Sequence, residues 1–499
     1  MPNRSSTTRQ WSNKKDTVMK NSRIPRKLSC ALLLALGACA HMSEDNGALP
    51  QRELASAQLA QSIKLAHEGW PPALWWTQYG DTQLNALIAQ ALRDGPSMQA
   101  ANARFATARA TLQFNVADQG AKLDADAAIN RQRYSGNGFF PPPIGGAWYT
   151  ETTPQLVATY NVDWWGKHKA AIGAAVGEVN ARLAENAAAE EDIVTAVAQT
   201  YYGIQADLAR LDNLRQLQDL QQQLVVDKAK RISHGVAASS AERQAEIDLG
   251  ATRQQVTRGE TEVAHEREAL RALIGGDAQA LADFAPHPLP RIDAALPANL
   301  GGDLLARRPD LQAARWRVEA SLDRIDSAKA AFYPDINLTG FVGNDVIAFE
   351  DLLKAPSRTF FLGATFNLPL FDNGRLDARL AASRSKRNEA IADYNEAVVD
   401  AVREVAQRGV AIQGMQKLIA EQNGTSAASK ALLQGAQARY MQGLADQATL
   451  LSAQLGVVRQ RDAELQLQGQ QIQNDIALVK ALGGGYLASQ NDAPALSQQ

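Results

Sequence analysis

The chain has 499 residues, a formal net charge of −2 and no Lys/Arg block or basic tail, which argues against nucleic acid as a partner. Two cysteines, Cys30 and Cys39, are too few for a disulfide framework. Aromatics make up only 6% while Ala and Gln crowd residues 170–275 and 375–482, a composition that favours thin helical packing over one thick core.

Arg23, Arg26 and Lys27 precede an apolar stretch from Leu28 to Ala38 that ends Leu36-Gly37-Ala38-Cys39. The stretch is too short to span a bilayer as a helix, so it reads as a secretory signal. Its end resembles a bacterial lipobox, which implies a signal peptide over 1–38, cleavage before Cys39, and acylation of the Cys39 thiol and new amino end. Each buried CH₂ contributes ~0.8 kcal/mol, so several acyl chains hold a protein durably in lipid. Ala40, where an Asp would hold such a lipoprotein at the inner membrane, implies the outer membrane. A plain signal peptide with an incidental cysteine is the other reading, and Met19 is an alternative start to Met1.

Residues 39–80 read as a lipidated N-terminal wrap, closing on Gly69-Trp70-Pro71 and Trp75-Trp76. Asp81 can cap a helix that carries Leu84, Leu87, Ile88 and Leu92 on one face, and a second helix is expected from about Ser97 to Ala117. Strict alternation follows: Leu123, Ala125, Ala127 and Ile129 oppose Lys122, Asp124, Asp126 and Asn130. After a Gly/Pro-rich segment, Leu156, Ala158, Tyr160 and Val162 alternate with Thr159, Asn161 and Asp163. Strands are therefore expected over about 121–133 and 153–163, each with one apolar and one wet face.

From Gly166 a proline-free span runs 69 residues to a Gly-hydrophobic-Ala turn at Gly235, and from Gly374 an equal span runs to Gly443. A helix of that length measures roughly 100 Å. Apolar positions such as Ile193, Val197, Tyr201 and Ile204 recur at mixed three and four spacings, as in helix-on-helix packing. Each span returns over about half its length, to Gly275-Gly276 and to Gly483-Gly484-Gly485. Other segments repeat too: Pro96-Ser97-Met98-Gln99 is echoed by Pro309-Asp310-Leu311-Gln312, and Tyr160-Asn161-Val162 by Phe366-Asn367-Leu368. We read a tandem duplication, with a first repeat over 81–285, a connector over 286–300 marked by Pro286, Pro288 and Pro290, a second repeat over 301–485 and a tail over 486–499. The second strand pair is expected at about 335–343 and 360–370. The helix from about Asp310 to Ala331 is expected to complete the first repeat's return by stacking end to end on it.

Four strands cannot close a barrel, and an open sheet cannot sit in lipid with its edge groups unpaired. Copies must pool strands; two would leave an interior filled by side chains, three would leave a channel.

The entry from Trp75-Trp76 to Leu84, Leu87 and Ile88 resembles the TolC-type outer-membrane efflux ducts, in their lipoprotein (NodT/OprM-like) branch, and most nearly the MdtP-like multidrug exit ducts. The same holds for Asp163-Trp164-Trp165-Gly166-Lys167, Leu305-Ala306-Arg307-Arg308-Pro309-Asp310-Leu311, Pro369-Leu370-Phe371-Asp372-Asn373-Gly374-Arg375 and Ala481-Leu482-Gly483-Gly484-Gly485-Tyr486. The resemblance implies a mixed, mainly α protein: a homotrimer with a twelve-stranded β-barrel in outer-membrane lipid, continued by a long periplasmic α-helical barrel. A periplasmic adaptor (membrane fusion) protein and an inner-membrane efflux pump would deliver drugs or small toxic compounds to its lower end.

Gly235, Val236, Gly443 and Leu444 then match the family's adaptor-docking turn, although His234 and Gln442 replace its leading apolar residue; plain helix C-caps are the alternative. Tyr440 matches a tyrosine near the periplasmic entrance. Thr449 and Ser452 stand where well-known members carry a carboxylate ring, which leaves Asp446 as the acidic substitute, either a cation-attracting ring or a solvated helix start. Six scattered histidines show no metal-ligand spacing, no phosphate loop follows a strand, and Glu190-Glu191 read as solvated, so no metal, cofactor or enzyme site is expected. A lumenless coiled-coil scaffold lipoprotein and a duct for protein or peptide export remain as alternatives.

Overall fold

The computed structural model describes residues 42–53, 63–65, 67–236, 238–297 and 300–487. The expected signal peptide, Cys39 and nearly all of the expected tail lie outside the described residues. A short 3-10 turn at Trp75–Tyr79 leads to α1 (Thr82–Asp94) and α2 (Pro96–Gln119). Strands β1 (Lys122–Arg133) and β2 (Trp148–Val162) follow, then α3 (Lys167–Ser233) and α4 (Ser239–Leu273). The second half runs α5 (Gly301–Arg307), α6 (Pro309–Ala330), β3 (Asp335–Asn344), β4 (Arg358–Asn367), α7 (Arg375–Met441) and α8 (Gln447–Ala481).

The duplication is metrical: α3 and α7 are each 67 residues long, and α4 and α8 are each 35. At 1.5 Å per residue the long pair measures about 100 Å. Both start behind a left-handed glycine, Gly166 and Gly374, which turns the chain sharply out of the strand.

The four strands form one antiparallel sheet in the order β1-β2-β3-β4, so β1 and β4 are its free edges among the described residues. β2 starts at Trp148, upstream of the expected 153, because the ladder to β1 continues to Arg133 although Thr150 and Thr152 break the apolar alternation. β4 ends at Asn367 rather than 370, since Pro369 offers no N–H to a ladder.

Helix stacking corrects one expectation. The N-terminus of α6 abuts the C-terminus of α8: a Cβ on Gly483 would overlap the Arg307 carbonyl oxygen. The first repeat's return is completed instead by its own α2, whose start meets the end of α4 where a Cβ on Gly275 would lie 2.6 Å from the Asp94 oxygen. Each upper helix precedes its strands in sequence, so each repeat seats its own upper helix on its own lower one. The wall thus has four columns: α2/α4, α3, α6/α8 and α7, with α3 packed against both broken columns and α7 against α6/α8.

Two clusters clamp the wall at its waist. In one, Trp75, Leu84 and Ile88 pack on Val197, Tyr201 and Ile204 of α3 and on Ile472 and Ile476 of α8. In the other, Leu296, Leu300 and Leu304 meet Leu311, Tyr394, Val398 and Val405. Burying each such side chain contributes about 1.5–3 kcal/mol, which holds helices that have no thick core of their own.

Candidate functional site

The register puts one sheet face in rows. Ala125, Leu156, Val342 and Phe360 lie side by side, as do Leu123, Ala158, Gly340 and Leu362. This face is apolar and bare: Leu123 and Ile129 are each 71% exposed, and Phe360 and Leu362 each 86%. The opposite face carries Asp124, Asp126, Gln155, Thr159, Asn337 and Thr365. Exposing so large an apolar surface to water is unfavourable, whereas a lipid-facing band with a wet reverse side needs this alternation. Trp164, Leu370 and Phe371, all exposed, follow the strands at the helix end of the sheet.

The opposite end of the long helices bears the two glycine turns. Val236 N–H donates to Arg231 O and Leu444 N–H to Arg439 O, both at 2.9 Å or less, while Gly235 and Gly443 take φ +75° and +69°. Both are helix C-caps of one kind. Open space surrounds a Cβ at either glycine, so the positive φ alone requires them. Beside them Val236, Leu444 and Met441 are exposed and Tyr440 is 39% exposed.

Asp446 caps α8, accepting from the Thr449 N–H at 2.8 Å and hydroxyl at 2.6 Å. It also pairs with Arg231 at the foot of α3, so the two tips are tied together. The Thr449 bonds and then Arg231 hold its carboxyl well below the usual carboxylate range. Sequence reading found Asp446 and missed Arg231, since a basic residue in a last helical turn looks like ordinary dipole compensation. Ser452 bonds back to Ala448 O within α8.

Between sheet and tip, a cleft of about 760 Å³ lies among α3, α4 and α8, lined by Gln199, Gly203, Asp207, Arg210, Glu266 and Gln473. Glu266 lies over Gly203, and its Oε2 is buried without a hydrogen-bond partner. Burial, then Asp207 and Glu262, push its carboxyl up to about 7. A carboxyl raised from 4.5 favours folding when protonated, so that contribution is intact below pH 4.5 and lost as pH rises to about 7. Glu266→Gln is expected to raise the melting temperature at pH 8 and leave it unchanged at pH 4.5. Partial exposure limits the gain to about 1 kcal/mol; equal shifts at both pH values in a thermal melt would refute the assignment. Glu191 corrects a reading: Glu190 is exposed, but Glu191 is half-buried against Gly484, and burial raises its carboxyl to about 8.

The N-terminal segment lies along α7. Ser43 N–H donates to Asp377, Leu49 N–H to Asn388 and Arg52 N–H to Asn395, while Arg387 clasps Asp45 at 2.8 Å. Met42 packs in the cluster of Phe332, Leu376 and Leu380 just beneath the sheet.

Residues 87–276 and 300–484, the bulk of the two repeats, match the family model described as outer membrane efflux protein. The chain belongs to the outer membrane efflux protein family. It is 38% identical over 483 residues, 94% of its length and 99% of the relative's, to the multidrug resistance outer membrane protein MdtP of Escherichia coli K12. It is 36% identical over 466 residues to MdtQ of Escherichia coli O157:H7, covering 91% of this chain and 97% of the other. The crystal structure of the outer membrane protein VceC of Vibrio cholerae superposes with a TM-score of 0.76 at 30% identity, covering 84% of this chain and all of the other. This efflux family places the protein in the outer membrane as an exit duct, and the TolC-type resemblance read from the tryptophan, proline and glycine motifs holds.

Proposed function

We propose that three copies of this chain close a twelve-stranded barrel in the outer membrane and a twelve-column helical tunnel below it, passively conducting small toxic compounds. The observation that carries this reading is a four-stranded sheet with one bare apolar face, one wet face and, among the described residues, two unpaired edges, mounted on helices about 100 Å long. One copy leaves edges open to lipid, and two make an interior that side chains fill. The relatives named for multidrug resistance support drugs as the cargo. In this reading the duct performs no chemistry, and an inner-membrane pump supplies the driving force through a periplasmic adaptor.

The adaptor meets the exposed Val236 and Leu444 beside the tight turns of Gly235 and Gly443, where Tyr440 flanks the entrance. Cys39 carries the acyl chains; the packing of Met42, three residues on, against Phe332, Leu376 and Leu380 beside the sheet supports this reading. Native mass of protein extracted from outer membranes in mild detergent tests the assembly. Three chains with acylated Cys39 are expected; a stable monomer would leave the barrel unclosed and defeat the proposal.

The entrance ring consists of Asp446–Arg231 pairs, so the two variants act in opposite directions. Asp446→Asn frees Arg231 and is expected to weaken cation preference in planar-bilayer recordings; Arg231→Ala bares Asp446 and strengthens it. Both effects shrink as salt rises. Selectivity unchanged in both variants would remove this pair from the pore.

A further inference from the structure

On the wet face of the sheet, where Asp, Asn, Gln, Thr and Gly predominate and Val157 adjoins Phe341, two phenylalanines stand directly opposite each other. Phe341 of β3 and Phe361 of β4 are register partners, with ring centroids 5.4 Å apart and planes inclined by 22°. Gly363, two residues along β4 on the same face, leaves the space the Phe361 ring fills, since a Cβ there would lie 2.5 Å from its Cζ. Phe361 remains 47% exposed on this largely polar face. The same transverse row continues through Val157 to Asp124, with Asp126 one pleat further along β1. Adjacent strands lie about 4.8 Å apart, so the carboxylates on β1 run roughly 10 Å from Phe341 and roughly 14 Å from Phe361.

Stacked rings present a broad π surface in a polar wall, and nearby carboxylates bias its occupant towards positive charge. Resting on the proposed duct, which makes this face the barrel lumen, we propose that Phe341 and Phe361 form a stacking platform for planar aromatic cations in transit, with Asp124 and Asp126 supplying the charge preference. The trimer repeats the platform three times around the axis. Gly363 leaves the room the Phe361 ring takes up along β4, so no side chain covers that ring from the Gly363 position.

Ethidium serves as the probe, followed by fluorescence anisotropy with the full lipidated protein in detergent, and native mass is recorded on the same samples. The wild-type trimer is expected to bind ethidium. Phe341→Leu with Phe361→Leu, which keeps an apolar wall but removes the rings, is expected to weaken binding at least fivefold. Asp124→Asn is expected to weaken it about threefold, and tetrapropylammonium, a cation without rings, should not compete at equal concentration. Equal binding by wild type and the double Leu variant, or no binding by wild-type trimer, overturns the platform. A monomeric native mass would instead bring down the duct reading on which it rests.

Discussion

Gly483→Ala is expected to cost ~3 kcal/mol or more and to loosen the junction between α6 and α8. The residue adopts φ +95°, where a side chain is strained, and its Cβ would overlap the carbonyl oxygen of Arg307, the last residue of α5, which leads into α6. Left-handed backbone costs about 1–2 kcal/mol for an L side chain, and forced overpacking adds roughly 1–3 kcal/mol. Little around it can yield. Arg308, whose side chain is only 12% exposed, is held by Asp310 at 2.7 Å, Glu404 at 3.0 Å and the Ala481 oxygen at 2.8 Å. Gly485, with φ +79°, is pressed against the Pro72 carbonyl. Gly424→Ala is the control, because Gly424 lies inside α7 with open space around it, and helix propensity favours alanine there by ~1 kcal/mol. Denaturant midpoints in detergent should fall for the first and hold or rise for the second. A Gly483→Ala protein as stable as wild type would mean that the broken columns do not depend on this seat.

The junction also shows where sequence reasoning stops. Gly483-Gly484-Gly485 announced a helix end, and the equal spans Gly166–Gly235 and Gly374–Gly443 announced two long helices, because a missing Cβ and an unbroken apolar stripe act locally. Which upper helix seats on which lower one is a tertiary choice. Pro96 and Pro309 carry the same start signal, and nothing within either helix says whether α4 or α8 lies beneath it. Strand faces were legible for the same local reason, the period of two, whereas Phe341 and Phe361 were not: their partnership depends on the register between β3 and β4. At the tip, Asp446 and its role as a cap could be read from the sequence. Arg231, 215 residues earlier in the chain, could not.

Asp81→Ala is expected to destabilise by about 3 kcal/mol, and most of that loss should come from detaching α1 from the duct wall. Sequence assigned Asp81 a capping role, which its Oδ1 fulfils by accepting from Gln83 N–H at 2.9 Å and Leu84 N–H at 3.1 Å. A cap of this kind stabilises by ~1 kcal/mol. Its other oxygen accepts from the Tyr201 hydroxyl at 2.6 Å, in the buried middle of α3. Gln83 reaches the same hydroxyl at 3.2 Å and the Ala285 carbonyl at 3.2 Å, so α1, the end of the first repeat and the wall meet on one small network. Alanine leaves a buried hydroxyl short of its strongest partner, which costs roughly 1–3 kcal/mol beyond the cap. A double-mutant cycle with Tyr201→Phe separates the parts. If the carboxylate serves the cap alone, the two losses add; if it docks the waist, the double variant loses ~1–2 kcal/mol less than their sum. Additive losses would reduce Asp81 to a local cap, and the waist would then be held by Trp75, Leu84 and Ile88 packing on Tyr201 and Ile204.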